Sequence, residues 1–147
     1  MSKKMLIAVA IAGLFSATAD ASAQLVVIVN GDNPVASLSQ GDVRAYFMKT
    51  EPRWDNGEKV RPIDRAGSSA ERTAFISDVL GISDAELERH WIEKQYASAA
   101  TPATRAPDAS AVISLVRAFP GGIGFISQAT WDDADHTGLK AVFSLPG

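Results

Sequence analysis

Cysteine is absent from all 147 residues. That absence excludes disulfides, thiolate metal sites and a thiol nucleophile. Histidine is scarce: His90 and His136 are the only two. A Ser-His-Asp system can be written down on paper, but the Gly-x-Ser-x-Gly elbow that exposes a nucleophilic serine is missing. The acidic stretch "WDDADH" lacks the spacing of an EF-hand loop and reads as solvated loop. Nothing here calls for a metal, a cofactor or enzymatic chemistry. Positive charge is also in short supply, with 14 Lys and Arg against 17 Asp and Glu and a net charge of -3. General binding of nucleic acid, which needs a basic field along the phosphate backbone, is therefore not expected. Local arginine clusters remain free to attract a small anion.

Long apolar runs are lacking too. The most apolar segment, "MLIAVAIAGLF" (Met5–Phe15), is too short to cross a bilayer comfortably. It follows Lys3 and Lys4 and precedes the small-residue pattern Ala21-Ser22-Ala23. This order of a basic start, an apolar stretch and a small-residue site reads as a secretory signal peptide over residues 1–23, cleaved after Ala23. A lipid-modified signal would need a cysteine at the cleavage point. The expected product is one periplasmic domain over residues 24–147, of a length that fits a single core. Losing Lys3, Lys4 and Asp20 makes it one unit more negative.

Within that domain, "QLVVIVN" (residues 24–30) is a β-branched run ended by the turn residues "GDNP". A helix is expected after Ser39, with Asp42 completing a capping box and Leu38 and Val43 forming a hydrophobic staple. Val43, Tyr46 and Phe47 share its apolar face. A short strand is expected over residues 59–63. A helix from about Ser68 to Leu80 follows, with Gly81 as a left-handed cap. Ser83 and Glu86 open a third helix that buries Leu87, Trp91 and Ile92. "ASAATPATRAPD" reads as an exposed loop, and Asp108 caps a fourth helix stopped by "PGG". "GIGFIS" and "LKAVFSL" complete the strands. The alternation gives an α/β class, a small mixed sheet flanked by helices. In such sheets ligands sit beyond the carboxyl ends of strands, where helices begin.

One strand-to-helix junction has the chemistry for that position: "DRAGSSAER" (residues 64–72). The first N–H groups of a helix lack internal partners and carry partial positive charge, so an oxyanion meets donors already oriented. Gly67 admits close approach of the backbone, Ser68 and Ser69 add hydroxyls, and the Arg65 guanidinium matches two oxygens of a tetrahedral anion. Arg72, one turn further on, is expected to reinforce the positive field there. The same residues also read as plain helix chemistry, with Ser68 and Glu71 as a capping box. On that reading Glu71 repels an anion.

"VVIVNGDNPVASLSQGDVRAYFM", "VRPIDRAGSSAERTAFISDVLG" and "AVISLVRAFPGGIGFIS" together resemble short periplasmic phosphate-binding-protein-like domains. These are similar to one lobe of a type II periplasmic binding protein, the substrate-binding protein of a phosphate ABC transporter. The resemblance implies non-catalytic binding of phosphate or a similar oxyanion for transport or sensing, with a membrane transporter or sensor as partner. In that family an arginine and a Ser-Gly-Thr run hold phosphate. Here Arg65 matches the arginine and Ser68 the serine, one residue closer than usual. Ser69 replaces the glycine and Ala70 the threonine. The implied site is Arg65, Gly67, Ser68, Ser69 and Ala70. The alternative is an interaction module that kept the fold and lost the ligand.

Packing is the expected role of Trp91 and Tyr46, while Trp54 and Trp131 lie beside turns. Asn33 is expected to serve turn chemistry or to face the same crevice as Ser68. When the full chain is expressed in a double-membraned bacterium, the periplasmic product is expected to begin at Gln24. Intact-protein mass spectrometry reads this directly, and a membrane-bound product that keeps Met1 would show that the apolar run is an anchor instead.

Overall fold

The six residues Leu25–Asn30 are all buried, and they form an interior strand, β1, covered on both faces. The computed structural model describes residues 24–98 and 101–146, so the expected signal peptide lies outside the described residues. In chain order the remaining elements are α1 (Gln40–Phe47), β2 (Arg61–Arg65), α2 (Ala70–Ala74), a π-helical continuation (Phe75–Leu80) and α3 (Asp84–Ser98). They are followed by β3 (Thr104–Ala106), α4 (Ala109–Ala118), β4 (Gly122–Ser127), α5 (Gln128–Asp133) and β5 (Leu139–Leu145).

The strands form one five-stranded sheet in the order β3-β2-β4-β1-β5. β2 runs parallel to both β3 and β4, whereas β1 runs antiparallel to β4 and to β5. The expected small mixed sheet flanked by helices is therefore what the chain forms. Alternation along β1 divides the core in two, since successive side chains point to opposite faces. Leu25, Val27 and Val29 join Phe47, Phe75 and Phe125 beneath α1, the π-helical segment and α3. Val26 and Ile28 join Ile63, Val112 and Val116 beneath α4. Gly124 lets α4 lie close to the sheet: a Cβ there would meet Val112 Cγ1 at 2.8 Å.

The capping signals resolve as expected at three helix starts. Ser39 and Asp42 form a reciprocal box, Ser83 and Glu86 exchange the same two bonds, and Asp108 caps α4. Gly81 takes the left-handed conformation at φ 71°. The strand expected at residues 59–63 instead begins at Arg61, because Val60 N–H is already committed to the Pro52 carbonyl. β3 lies inside the segment expected to be loop. Its residues show no apolar alternation, and only the edge of β2 recruits them, with Asp64 opposite Arg105. α5 likewise occupies part of the expected acidic loop, capped by Ser127. Ile92, expected to be buried, is 55% exposed, while Leu87 and Trp91 are buried.

The tryptophans and Tyr46 have structural roles, whereas Tyr96 is 89% exposed. Trp54 is buried, stacks on Tyr46 at 4.0 Å and donates its indole N–H to the Gly121 carbonyl at 3.0 Å. His136 stacks on Trp131 at 3.6 Å and donates to that residue's carbonyl, while His90 donates to the Met48 carbonyl. Among the described residues, the side-chain hydrogen bonds of both histidines go to backbone carbonyls. No helix among the described residues is long and apolar enough to cross a membrane. Phe75 stacks on Phe125 at 4.1 Å and meets Phe47 edge-on at 4.7 Å. Phe75→Ala is expected to cost about 3–5 kcal/mol, read as a lowered urea midpoint with little change in slope.

Candidate anion-binding site

β2 ends with two charged residues of opposite fate. Asp64 is 2% exposed, and its carboxylate is saturated with donors. Oδ1 accepts from Arg65 N–H at 2.7 Å and from Arg72 Nε at 3.1 Å, and Oδ2 accepts from a second Arg72 nitrogen at 3.1 Å. This is the two-pronged geometry that suits a guanidinium to a carboxylate. Arg72 also reaches Asp84 at 3.0 Å, at the start of α3. Burial works against its charge, but the hydrogen bonds and attraction of Asp64 and then Asp84 outweigh it and hold Arg72 above its ordinary pKa. Arg72 is thus a compensated structural cation. The expectation that it reinforces the field at the helix start is corrected.

Arg65 leaves the strand in a different state. Its side chain is 13% exposed, and one guanidinium nitrogen lies 3.7 Å from Glu71, too far for a direct hydrogen bond. Its Nε is buried without a partner among the described residues. Buried donors in folded proteins nearly always find an acceptor, so this one calls for an explanation.

The turn from Arg65 to the helix is open. Ala66, Gly67, Ser68 and Ala70 are exposed, and Gly67 takes a left-handed φ of 77° with no atom within 4 Å of a notional Cβ. Ser69, not Ser68, is the N-cap: its hydroxyl accepts from Arg72 N–H at 3.1 Å. Glu71 is therefore at the second helical position instead of the third, and the expected Ser68–Glu71 capping box does not form. The carboxylate turns toward Arg65 instead. Two adjacent serines make both registers acceptable in sequence, and the Asp64–Arg72 pair favours the one that places Arg72 over β2.

The strand directions decide what else shares this edge. Because β2 and β4 are parallel, the Arg65 turn lies at the same edge as Ser127 and the start of α5. β1 runs the other way, so Asn33 stands at the opposite edge and does not face Ser68. Its Oδ1 accepts from Val35 N–H at 3.0 Å, as turn chemistry requires. Sequence reasoning missed Asp64, whose place before an arginine at a strand end was the available signal. Among the described residues there is no cluster of His, Asp and Glu suited to a metal ion.

No protein-family model matches the chain. No curated protein matches it in sequence. Solved structures do match in fold. An ABC-type phosphate transport receptor from Vibrio cholerae superposes with a TM-score of 0.61 at 23% identity, over 82% of this chain and 46% of the receptor. A phosphate ABC transporter substrate-binding protein from Clostridium perfringens, with phosphate bound, gives 0.63 at 20% identity, over 82% and 45%. PstS from Borrelia burgdorferi gives 0.61 at 16%, over 82% and 47%. The chain spans a little under half of each of these proteins, and its fold is that of one lobe of a periplasmic binding protein.

Breaking the Asp64–Arg72 pair leaves a buried charge uncompensated. Arg72→Met is expected to destabilise the fold by about 3–5 kcal/mol. Adding Asp64→Leu should recover much of that loss in chemical denaturation, the signature of a pair whose value lies in mutual compensation.

Proposed function

We propose that the chain binds phosphate or a similar oxyanion without catalysis, at the turn between β2 and α2, and serves a periplasmic transporter or sensor. The observation that carries this reading is Arg65: a mostly buried guanidinium beside an exposed turn, with one donor unpartnered and only a long contact to Glu71. An oxyanion at the turn would supply the missing acceptor. Arg65 acts as the charge clamp, Ser68 contributes a free hydroxyl, and the backbone of Gly67 to Ala70 contributes N–H donors. Ser69, already capping the helix, shapes the turn.

The cap at Ser69 also suggests a second way to set the chain against the phosphate-binding pattern. Ser69 stands four residues after Arg65, which removes the one-residue shortening that aligning Ser68 entails. Ala70 then takes the place of the glycine and Glu71 that of the threonine. The neighbouring receptors include one with phosphate bound, which supports the choice of ligand. The turn residues Ala66, Gly67 and Ser68 are exposed to water, where charge interactions are weak, so the expected affinity is modest.

A second reading, an interaction module that has lost its ligand, is favoured by Glu71 itself, which sets a negative charge 3.7 Å from the clamp. Calorimetric titration of the protein spanning residues 24–147 with phosphate and then sulfate, at low ionic strength, separates the two. Saturable heat that disappears in Arg65→Ala is the expected result. Glu71→Gln should tighten phosphate binding by removing the competing carboxylate. No heat and no thermal stabilisation at millimolar anion, in either the parent or Glu71→Gln, would favour the interaction module.

A further inference from the structure

The opposite edge of the sheet, at the amino end of β2, holds a cleft of about 460 Å³. Lys49, Arg53, Lys59 and Arg61 line it, together with Pro52 and Thr101. Four cations around one cleft stand out in a chain whose net charge is -3. Among the described residues, none of the four forms an ion pair: the four salt bridges involve Arg65, Arg72 (twice) and Arg105. Glu51, Asp55 and Glu58 are neighbours in sequence, and none of them lines the cleft.

Three of the four cations, Lys49, Arg53 and Arg61, are held in place by contacts that leave their charge uncancelled. Lys49 follows the last turn of α1 with a φ of 58°, a left-handed conformation that side-chain-bearing residues rarely adopt. Its Nζ donates to the Thr101 carbonyl at 3.1 Å, joining the end of α1 to the segment that leads into β3. Arg53 donates to the Gly57 carbonyl at 2.9 Å, and Arg61 lies over the Phe119 ring at 4.7 Å. Neutral acceptors and a ring face orient these groups, and the repulsion among them remains. Lys49 registers that repulsion: burial and then Arg61, Lys59 and Lys94 push its pKa below the ordinary lysine value.

We propose that this cleft is a second anion site, separate from the Arg65 turn, and that it takes an oligoanion carrying two or more adjacent phosphoryl groups. A single phosphate dianion would leave half of the four charges uncompensated, whereas a condensed phosphate spans the cleft and meets both arginine forks and lysine point charges. The length of β2, about 13 Å at the usual rise per residue, separates it from the Arg65 turn. The inference does not depend on the function assigned to that turn.

The test is titration of the protein spanning residues 24–147 with inorganic tripolyphosphate, and in parallel with ATP, orthophosphate and hexaglutamate. Thermal unfolding of each variant confirms that it folds. Tripolyphosphate should bind more tightly than orthophosphate, with affinity falling steeply as salt rises. Lys59→Gln and Arg53→Gln, both at exposed side chains, should each weaken it about tenfold, and Arg89→Gln, at an exposed cation outside both the cleft and the Arg65 turn, should leave it unchanged. Equal affinity for ATP and tripolyphosphate assigns recognition to the phosphate chain, and tighter ATP adds a nucleoside contact; both uphold the site. Absence of tripolyphosphate binding, loss in Arg89→Gln instead of the two cleft variants, or equal affinity for hexaglutamate would overturn it.

Discussion

Two charges that almost never enter a protein interior unpaired, Asp64 and Arg72, meet there in a two-pronged ion pair, and the geometry of the adjoining turn depends on it. Taking both groups from water is costly, so the arrangement persists only where geometry and further hydrogen bonds compensate. Asp64 meets that condition with three accepted bonds, one of them from the backbone of Arg65. The pair thus fixes where the strand ends, which face of α2 lies on the sheet and how α3 is tethered through Asp84. It also leaves Arg65 without a carboxylate of its own at close range. A structural pair and an under-compensated neighbour one residue apart are two results of the same packing.

Sheet polarity then sorts the surface. With β1 antiparallel between β4 and β5, the connections that follow β2 and β4 emerge at one edge, and the connection that follows β1 emerges at the other. The first edge carries the Arg65 turn and the starts of α2 and α5. The second carries the crowded cations after α1 and before β2. Four cations, Lys49, Arg53, Lys59 and Arg61, are thereby gathered at one cleft, the length of a strand away from Arg65.

The match to a little under half of each phosphate receptor bears on how tightly such a surface can hold an anion. A cleft closed between two lobes excludes water and raises the strength of every charge contact. The Arg65 turn of this chain is exposed and so lies in high dielectric. Glu71 adds a carboxylate 3.7 Å from Arg65 at that turn. For the proposed oxyanion function, both features point to weak, exchangeable binding.

The sequence by itself determined the elements whose signals are local. The β-branched run of β1, the caps at Ser39, Ser83 and Asp108, and the left-handed Gly81 depend on neighbours a few residues away, and all are where their chemistry puts them. So does the α/β class, which follows from the order of these elements. The candidate turn was legible as residue types, because Arg65, Gly67 and the serines are what a backbone anion nest uses. Only the tertiary structure decided the rest. β3 has no pattern of its own and exists because β2 offers an unpaired edge. The choice of Ser69 over Ser68 as cap is set by a pair reaching from Asp64 to Arg72, and the separation of Asn33 from the Arg65 turn by the antiparallel setting of β1. In each case the deciding partner is distant in sequence or belongs to another element, and periodicity and capping rules reach no further than one helical turn or one strand.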